Sequence, residues 1–233
     1  MGKYIEMLSL FGVGGAHPGG LALTKEILSK LPLNKNVQIL DVGCGTGQTI
    51  DYLSSFECPI IGIDSNHKMV EKAKARCDRL KDVTILLEDL EDLPFSNDSF
   101  DYIISESVLS FTNIEQSLYE IFRVLKPNGY LVATELTIEN SLTNEEENEL
   151  ISFYGFSKIQ FEDDWVKQLK QQGFKKIKAL TPNQFSKHNH AQTSEIRITE
   201  PIPEEYYSLM ERHTLFNEKY KDRLTFRVLS CIK

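Results

Sequence analysis

The sequence predicts an α/β fold on a mostly parallel sheet, and three observations carry that prediction. Short β-favouring apolar runs alternate with amphipathic helical stripes from Val37 to Thr134, the pattern of parallel strands joined by crossover helices. The first run passes through Asp41 straight into Gly43-Cys44-Gly45-Thr46-Gly47, where the absence of Cβ atoms permits a sharp bend and close ligand approach. The chain has 233 residues, 41% of them hydrophobic and 26% charged, which is enough for one sizeable core and too apolar for a disordered chain.

The elements follow in order. Met1-Gly2 opens a short apolar stretch that Glu6 interrupts. No signal peptide is expected from such a stretch, and Glu6 stands where myristoylation needs Ser or Thr. Gly12–Gly20 is a Gly/Pro-dense loop leading into a helix over Leu21–Leu31. The first strand is Val37–Val42, and helical sequence resumes at Gln48, so the glycine turn opens onto a helix N-terminus with free N–H groups. A second strand, Pro59–Ile63, ends in Asp64. The helix after it carries Val70, Ala73, Cys77 and Leu80 on one face. Val83–Leu87 is a third strand running into Glu88-Asp89-Leu90, and Phe100–Ile104 a fourth followed by Ser105-Glu106-Ser107. Ile114, Leu118, Ile121 and Leu125 stripe a helix that Pro127 stops, before a fifth strand at Tyr130–Thr134.

Beyond it the pattern changes. Thr143 or Asn144 caps a helix ending near Gly155. A helix over Asp164–Gln172 stops at Gly173, and Lys176–Leu180 makes a sixth strand. A polar loop, Pro182–Thr199, precedes a helix from about Pro203 and a last strand at Phe226–Ile232.

The glycine turn reads as a cofactor cradle. A dinucleotide fingerprint needs G-x-G-x-x-G, whereas the order here is Gly43-x-Gly45-x-Gly47 with Gln48 in the last glycine's place. Asp41 repels a pyrophosphate but accepts hydrogen bonds from an ammonium group, so a nucleoside with a cationic amino-acid tail suits the turn better than NAD. Asp64, with Ser65 beside it, is placed to meet ribose hydroxyls. Met69, one helical turn on, is placed to cover an adenine face, where a thioether is worth roughly 0.3–1.5 kcal/mol. Asp89 is placed to accept from the adenine amino group, and the Leu90 backbone to read the ring edge.

Together, Leu40-Asp41-Val42-Gly43-Cys44-Gly45-Thr46-Gly47, Gly62-Ile63-Asp64, Leu93-Pro94-Phe95, Phe100-Asp101-Tyr102-Ile103 and Arg123–Leu131 make the chain resemble class I S-adenosylmethionine-dependent methyltransferases. The likeness is to the small-molecule type that includes the ubiquinone/menaquinone-biosynthesis enzymes. The resemblance implies a Rossmann-like three-layer sandwich whose seven-stranded sheet has the order 3-2-1-4-5-7-6, with the last strand antiparallel. It implies S-adenosylmethionine as cofactor, S-adenosylhomocysteine as product, and Asp41, Gly43, Cys44, Gly45, Gly47, Asp64, Ser65, Met69, Asp89, Leu90 and Ser105 as cofactor residues. It divides one domain, 1–233, into an N-terminal segment over the cofactor (1–36), a cofactor-binding core (37–136) and two lid or substrate insertions (137–162 and 183–223).

The expected reaction is in-line methyl transfer to a small molecule, with positioning as the main catalytic device. Ser105-Glu106-Ser107-Val108 stands where adenine- and glutamine-N-methylating relatives carry Asn/Asp-Pro-Pro-aromatic, which argues against those acceptors. Glu106 and His17 are the candidate catalytic residues. Glu135, at the end of the fifth strand, is a lesser one, and Phe111 stands where many relatives carry His. Phe153, Tyr154, Phe156, Phe161, Tyr206, Tyr207 and Met210 are candidates for an apolar lid, whereas Trp165 reads as core. His188-Asn-His190 lacks further ligands nearby, so no metal is expected.

A net charge of −8 disfavours nucleic acid as a partner, and the basic stretch Lys167–Lys178 reads as a solvated helix end. Four cysteines without paired spacing fit a reducing cytoplasm. No apolar run approaches the roughly 20 residues of a membrane span. Nothing in the sequence specifies an oligomer. The alternatives are a protein or RNA methyltransferase and a catalytically silent S-adenosylmethionine-binding protein; an NAD-dependent oxidoreductase is the weakest.

Overall fold

The computed structural model describes residues 2–186 and 195–233. Its helices and strands run α1 (Lys3–Phe11), α2 (Gly20–Leu28), β1 (Ile39–Val42), α3 (Gln48–Leu53), β2 (Ile60–Asp64), α4 (His67–Cys77), β3 (Val83–Leu87), β4 (Phe100–Glu106), α5 (Ile114–Val124), β5 (Leu125–Ile138), α6 (Asn144–Tyr154), α7 (Glu162–Gln172), β6 (Lys175–Leu180), α8 (Glu204–Tyr220) and β7 (Leu224–Ile232). The sheet order is β3-β2-β1-β4-β5-β7-β6. Neighbours from β3 to β5 are parallel, and β7 runs antiparallel between β5 and β6. This is the order that the resemblance implied.

Strand pleating sends alternate side chains to opposite faces, and each face has its own core. On β4, Ile103 packs with Leu118, Ile121 and Trp165 under α5 and α7, and a register shift between Phe100 and Tyr102 brings Phe100 to the same side. Tyr102 and Ile104 join Leu23, Ile50 and Val70 under α2, α3 and α4. A third cluster stands apart from the sheet's two faces. Tyr4, Met7, Leu8, Leu150, Phe153, Tyr154, Phe216 and Tyr220 pack α1, α6 and α8 into a helical cap.

Two elements depart from the sequence reading. The stretch that Glu6 interrupts is a helix, α1, with Tyr4, Met7, Leu8 and Phe11 buried on one stripe; Glu6 lies off that stripe and does not break it. The helix before Pro127 ends at Val124, and the chain is already extended at Leu125, which pairs with Phe100 in the sheet. A proline disfavours helical conformation in the residue before it, so β5 begins five residues earlier than the apolar pattern suggests. The cap on α6 is as read: Thr143 and Glu146 form a reciprocal capping box, and Gly155 ends the helix at φ 81°. Among the described residues no helix is long and apolar enough to cross a membrane.

Candidate active site

A cavity of about 1190 Å³ opens at the carboxyl ends of the parallel strands, where open α/β sheets bind ligands. Its floor is the glycine turn after β1. Gly43 (φ 65°) leaves no room for a side chain, since a Cβ there would lie 2.3 Å from Val108 Cγ2. At Gly45 a Cβ would meet no atom within 4 Å, so this residue presents bare backbone to the cavity. The turn is held from β2: Asp64 Oδ2 accepts from Gly45 N–H at 2.9 Å and Oδ1 from Asn66 N–H at 2.8 Å. Burial raises the Asp64 pKa against those two hydrogen bonds. A carboxylate has about four lone-pair sites, so Asp64 keeps acceptor capacity towards the cavity it lines.

Asp41 is buried, and its Oδ2 has no hydrogen-bond partner. Burial, and then the nearby Glu106 and Asp64 charges, push its pKa well above the usual carboxylate range. Thr46 Oγ1 and Gln48 Oε1, on the same cavity wall, are orphaned in the same way. A buried polar group left unpaired costs about 1–3 kcal/mol, so three such atoms around one cavity mark a place for a polar ligand. Facing acids give that ligand a positive end.

Glu106 and His17, distant in sequence, meet here. Glu106 Oε1 accepts from the Thr24 hydroxyl and lies 3.4 Å from His17 Nε2, while Oε2 accepts from Thr49 Oγ1 at 2.6 Å. His17 Nδ1 faces the Pro18 carbonyl at 3.2 Å, so that nitrogen carries a proton. Thr24 and Thr49 had no motif to betray them.

Cys44, Ser65, Met69, Asp89 and Leu90 line the cavity as well. Burial first, then Asp41 and Asp64, pushes the Cys44 thiol well up, which makes it a poor nucleophile. Two residues of the expected cofactor set do not line the cavity. Ser105 is fully buried and pairs with Val42 in the sheet; strand alternation turns its side chain away and presents Glu106 instead. A Cβ at Gly47 would sit 3.2 Å from both Ala73 Cβ and Cys77 Sγ, so this glycine serves the approach of α3 to α4. Ser107, unmarked in the sequence reading, holds φ 57° on the cavity wall. Such a conformation in a non-glycine costs of order 1–3 kcal/mol and gathers at functional sites.

Glu135 does not fit the part of a proton acceptor for a substrate. Its carboxylate is fully buried and accepts from Val108 N–H, Leu109 N–H, Ser110 N–H and Ser110 Oγ at 2.9–3.3 Å. Burial raises its pKa to about 7 in spite of those donors. It fixes the loop after β4, and so places Phe111, whose ring packs 4.8 Å from that of Phe156.

The cap supplies the rest of the cavity wall. Tyr4, Leu8, Tyr154, Phe156, Met210 and Phe216 line it, but other candidates for the lid lie elsewhere. Phe161 and Tyr207 are exposed, Phe153 and Tyr206 are buried within the cap, and none of the four lines the cavity. Trp165 is core, donating from Nε1 to the Leu136 carbonyl at 3.3 Å. His213 and Asn217, one helical turn apart on α8, were missed. The Tyr154 hydroxyl lies 3.1 Å from His213 Nδ1 and donates to Asn217 Oδ1 at 3.4 Å.

A strap from the distal polar loop closes over the turn. Glu195 exchanges backbone hydrogen bonds with Gly14, and its Oε2 accepts from Arg76 Nη2 at 2.7 Å and Gln48 Nε2 at 3.3 Å. Arg76 Nε in turn donates to the Thr46 carbonyl at 2.8 Å. His188 and His190 lie outside the described residues, and among those described no His/Cys/Asp/Glu group is arranged to hold a metal ion.

Known proteins share both the motifs and the architecture. Residues 40–133 match the methyltransferase domain family. Over 225 residues, 95% of each chain, the sequence is 40% identical to YodH of Bacillus subtilis, an uncharacterized methyltransferase. It is 38% identical over 101 residues to the demethylmenaquinone methyltransferase of Tropheryma whipplei, covering 43% of this chain and 42% of that one. The fold superposes with a TM-score of 0.79, at 19% identity, on Haemonchus contortus phosphoethanolamine N-methyltransferase 2 in complex with S-adenosyl-L-methionine, over 99% of this chain and 56% of that one.

Proposed function

The chain belongs to the class I S-adenosylmethionine-dependent methyltransferases, and from that premise we propose that it methylates a small, largely apolar molecule seated between the glycine turn and the helical cap. The observation that carries this reading is the division of one cavity. Orphaned polar atoms and acids line the side nearest the turn, and aromatic and aliphatic side chains predominate on the other.

The donor set fits the cofactor. Asp41 holds the ammonium group, its unpaired Oδ2 gaining the partner it lacks. Thr46 and Gln48 meet the rest of the amino-acid tail, Asp64 and Ser65 the ribose, and Met69, Asp89 and Leu90 the adenine. When bound, S-adenosylmethionine supplies a methyl group already made electrophilic by a sulfonium. The protein's own work is therefore to orient and to exclude water, which in favourable cases supplies roughly 7–11 kcal/mol. Glu106 contributes as a fixed negative charge. Thr24, Thr49 and His17 surround its oxygens, so it orients a cationic or hydroxyl group without rotating to take its proton. The α1, α6 and α8 cap covers the acceptor. Asp41, Asp64, Glu88, Asp89 and Glu106 on the wall disfavour a nucleic-acid strand.

Calorimetry with S-adenosylhomocysteine and with NAD tests the cofactor assignment. The first binds and the second does not. Asp41→Asn weakens binding of the first ten- to a hundredfold, by loss of a charge-assisted hydrogen bond of about 1.5–3 kcal/mol. Unchanged affinity in Asp41→Asn, or heat from NAD alone, counts against the pose.

A further inference from the structure

The acceptor half of the cavity carries its own recognition chemistry. Among the described lining residues, Lys221 is the one Lys or Arg, and it is exposed and bound to Glu218. An anionic group entering this half therefore finds no free cation among the described lining residues to replace its hydration, and burying such a charge unpaired is strongly unfavourable. The walls around it are Tyr4, Leu8, Phe111, Phe156, Met210 and Phe216.

A polar cluster interrupts them. Asn217 Nδ2 lies 3.1 Å from His213 Nε2, His213 Nδ1 lies 3.1 Å from the Tyr154 oxygen, and the Tyr154 hydroxyl donates to Asn217 Oδ1 at 3.4 Å. Proton counting makes this a closed ring of neutral groups. The amide donates to Nε2, so the imidazole proton sits on Nδ1 and is donated to the phenol oxygen. That leaves the phenol's own proton for the amide oxygen. Burial lowers the His213 pKa, which keeps the imidazole in this neutral form. With the ring closed, three valences remain: a lone pair on the Tyr154 oxygen, a lone pair on Asn217 Oδ1 and one amide N–H. They complement a hydroxyl or a carbonyl.

We propose that Tyr154, His213 and Asn217 form the specificity-determining anchor of the acceptor site, and that it takes the hydroxyl or carbonyl group of a neutral, ring-bearing apolar molecule while rejecting phosphorylated and carboxylated ones. The proposal rests on the cofactor occupying the turn side of the cavity. At about 1190 Å³ the cavity exceeds the 300–1,000 Å³ of a typical single-ligand pocket, so both fit together. Phe111, Phe156 and Tyr154 run from the β4 loop to the anchor with ring centroids 4.8 and 5.0 Å apart, an aromatic wall for a flat molecule.

The test uses protein saturated with S-adenosylhomocysteine, titrated by calorimetry with 2-naphthol, 2-naphthyl phosphate and 2-naphthoate. The neutral phenol binds, and the two anions bind at least tenfold more weakly. Tyr154→Phe and Asn217→Ala, the latter at the exposed rim of the cavity, each weaken 2-naphthol five- to tenfold with S-adenosylhomocysteine affinity unchanged, which also reports that the variants are folded. An anion binding as tightly as the phenol, variants that bind the phenol like the parent, or no phenol binding at all overturns the proposal. Failure of the parent protein to bind S-adenosylhomocysteine strikes the cofactor assignment instead, and the anchor falls with it.

Discussion

The two halves of the cavity are built by different means. The turn half is made by a continuous stretch of sheet, where backbone atoms and short polar side chains at strand ends form the wall: Gly43, Gly45, Asp41 and Asp64 lie at two neighbouring strand ends. The cap half is made by α1, α6 and α8, elements far apart in the chain, which meet through aromatic rings such as Tyr4, Phe153, Tyr154 and Phe216. A site made of backbone tolerates little change in geometry, whereas a site made of packed side chains trades shape for stability. Under the proposed assignment the cofactor half is accordingly the fixed one, and acceptor choice follows from cap packing.

Variants separate the halves. The largest effect is expected in the cap. Phe216 stacks on Phe153 with centroids 4.2 Å apart and is buried, so Phe216→Ala lowers unfolding free energy by about 3–5 kcal/mol in denaturant titrations. S-Adenosylhomocysteine affinity stays within twofold; a parallel loss of affinity would join the two halves into one.

Gly43→Ala tests the turn. The added Cβ meets Val108 at 2.3 Å, at a residue with φ 65°. Strain of roughly 1–3 kcal/mol then appears chiefly as lost cofactor affinity, tenfold or more by calorimetry. An unaltered Kd would show that the turn yields.

Glu135 sits between the halves, and its effect is set by pH. Its pKa rises from the ordinary 4.5 to about 7 on folding. The unfolded chain releases this proton first, so the group's contribution is fully present below 4.5 and is lost as pH rises towards 7. The loss is on the order of 3 kcal/mol. Glu135→Gln, which keeps the acceptor oxygen but not the proton, flattens the stability curve over that window. Equal slopes in both proteins would refute the assignment.

The smallest effect is expected at the strap. Arg76 is mostly buried and Glu195 partly exposed, so their ion pair is worth about 1 kcal/mol or less. Glu195→Ala weakens S-adenosylhomocysteine a few-fold, and added salt reduces the difference between the two proteins.

Legibility followed the same division. Asp41, Gly43, Gly45, Asp64 and Met69 were readable because each occupies a fixed offset from a strand end, and the structure places all five on the cavity wall. Ser105 and Gly47 were read from the same offsets and fell the wrong way, since strand phase and interhelical distance are decided across the sheet. Helix α1 hid behind one charged residue whose angular position only the folded stripe reveals. Thr24, Thr49 and Glu195 carried no signal, for their partners at the site lie in other elements, and the His213–Asn217 pair within α8 gains its meaning only from Tyr154 on α6.

By itself the sequence determined the alternation of strands and helices, the sheet's parallel character and the glycine turn with its acids, all consequences of interactions between residues near one another in the chain. The tertiary structure alone decided that His17 faces Glu106, that Glu135 serves the β4 loop, and that Tyr154 meets His213 and Asn217 across two helices. Such contacts depend on how distant segments pack, and local periodicity holds no record of that.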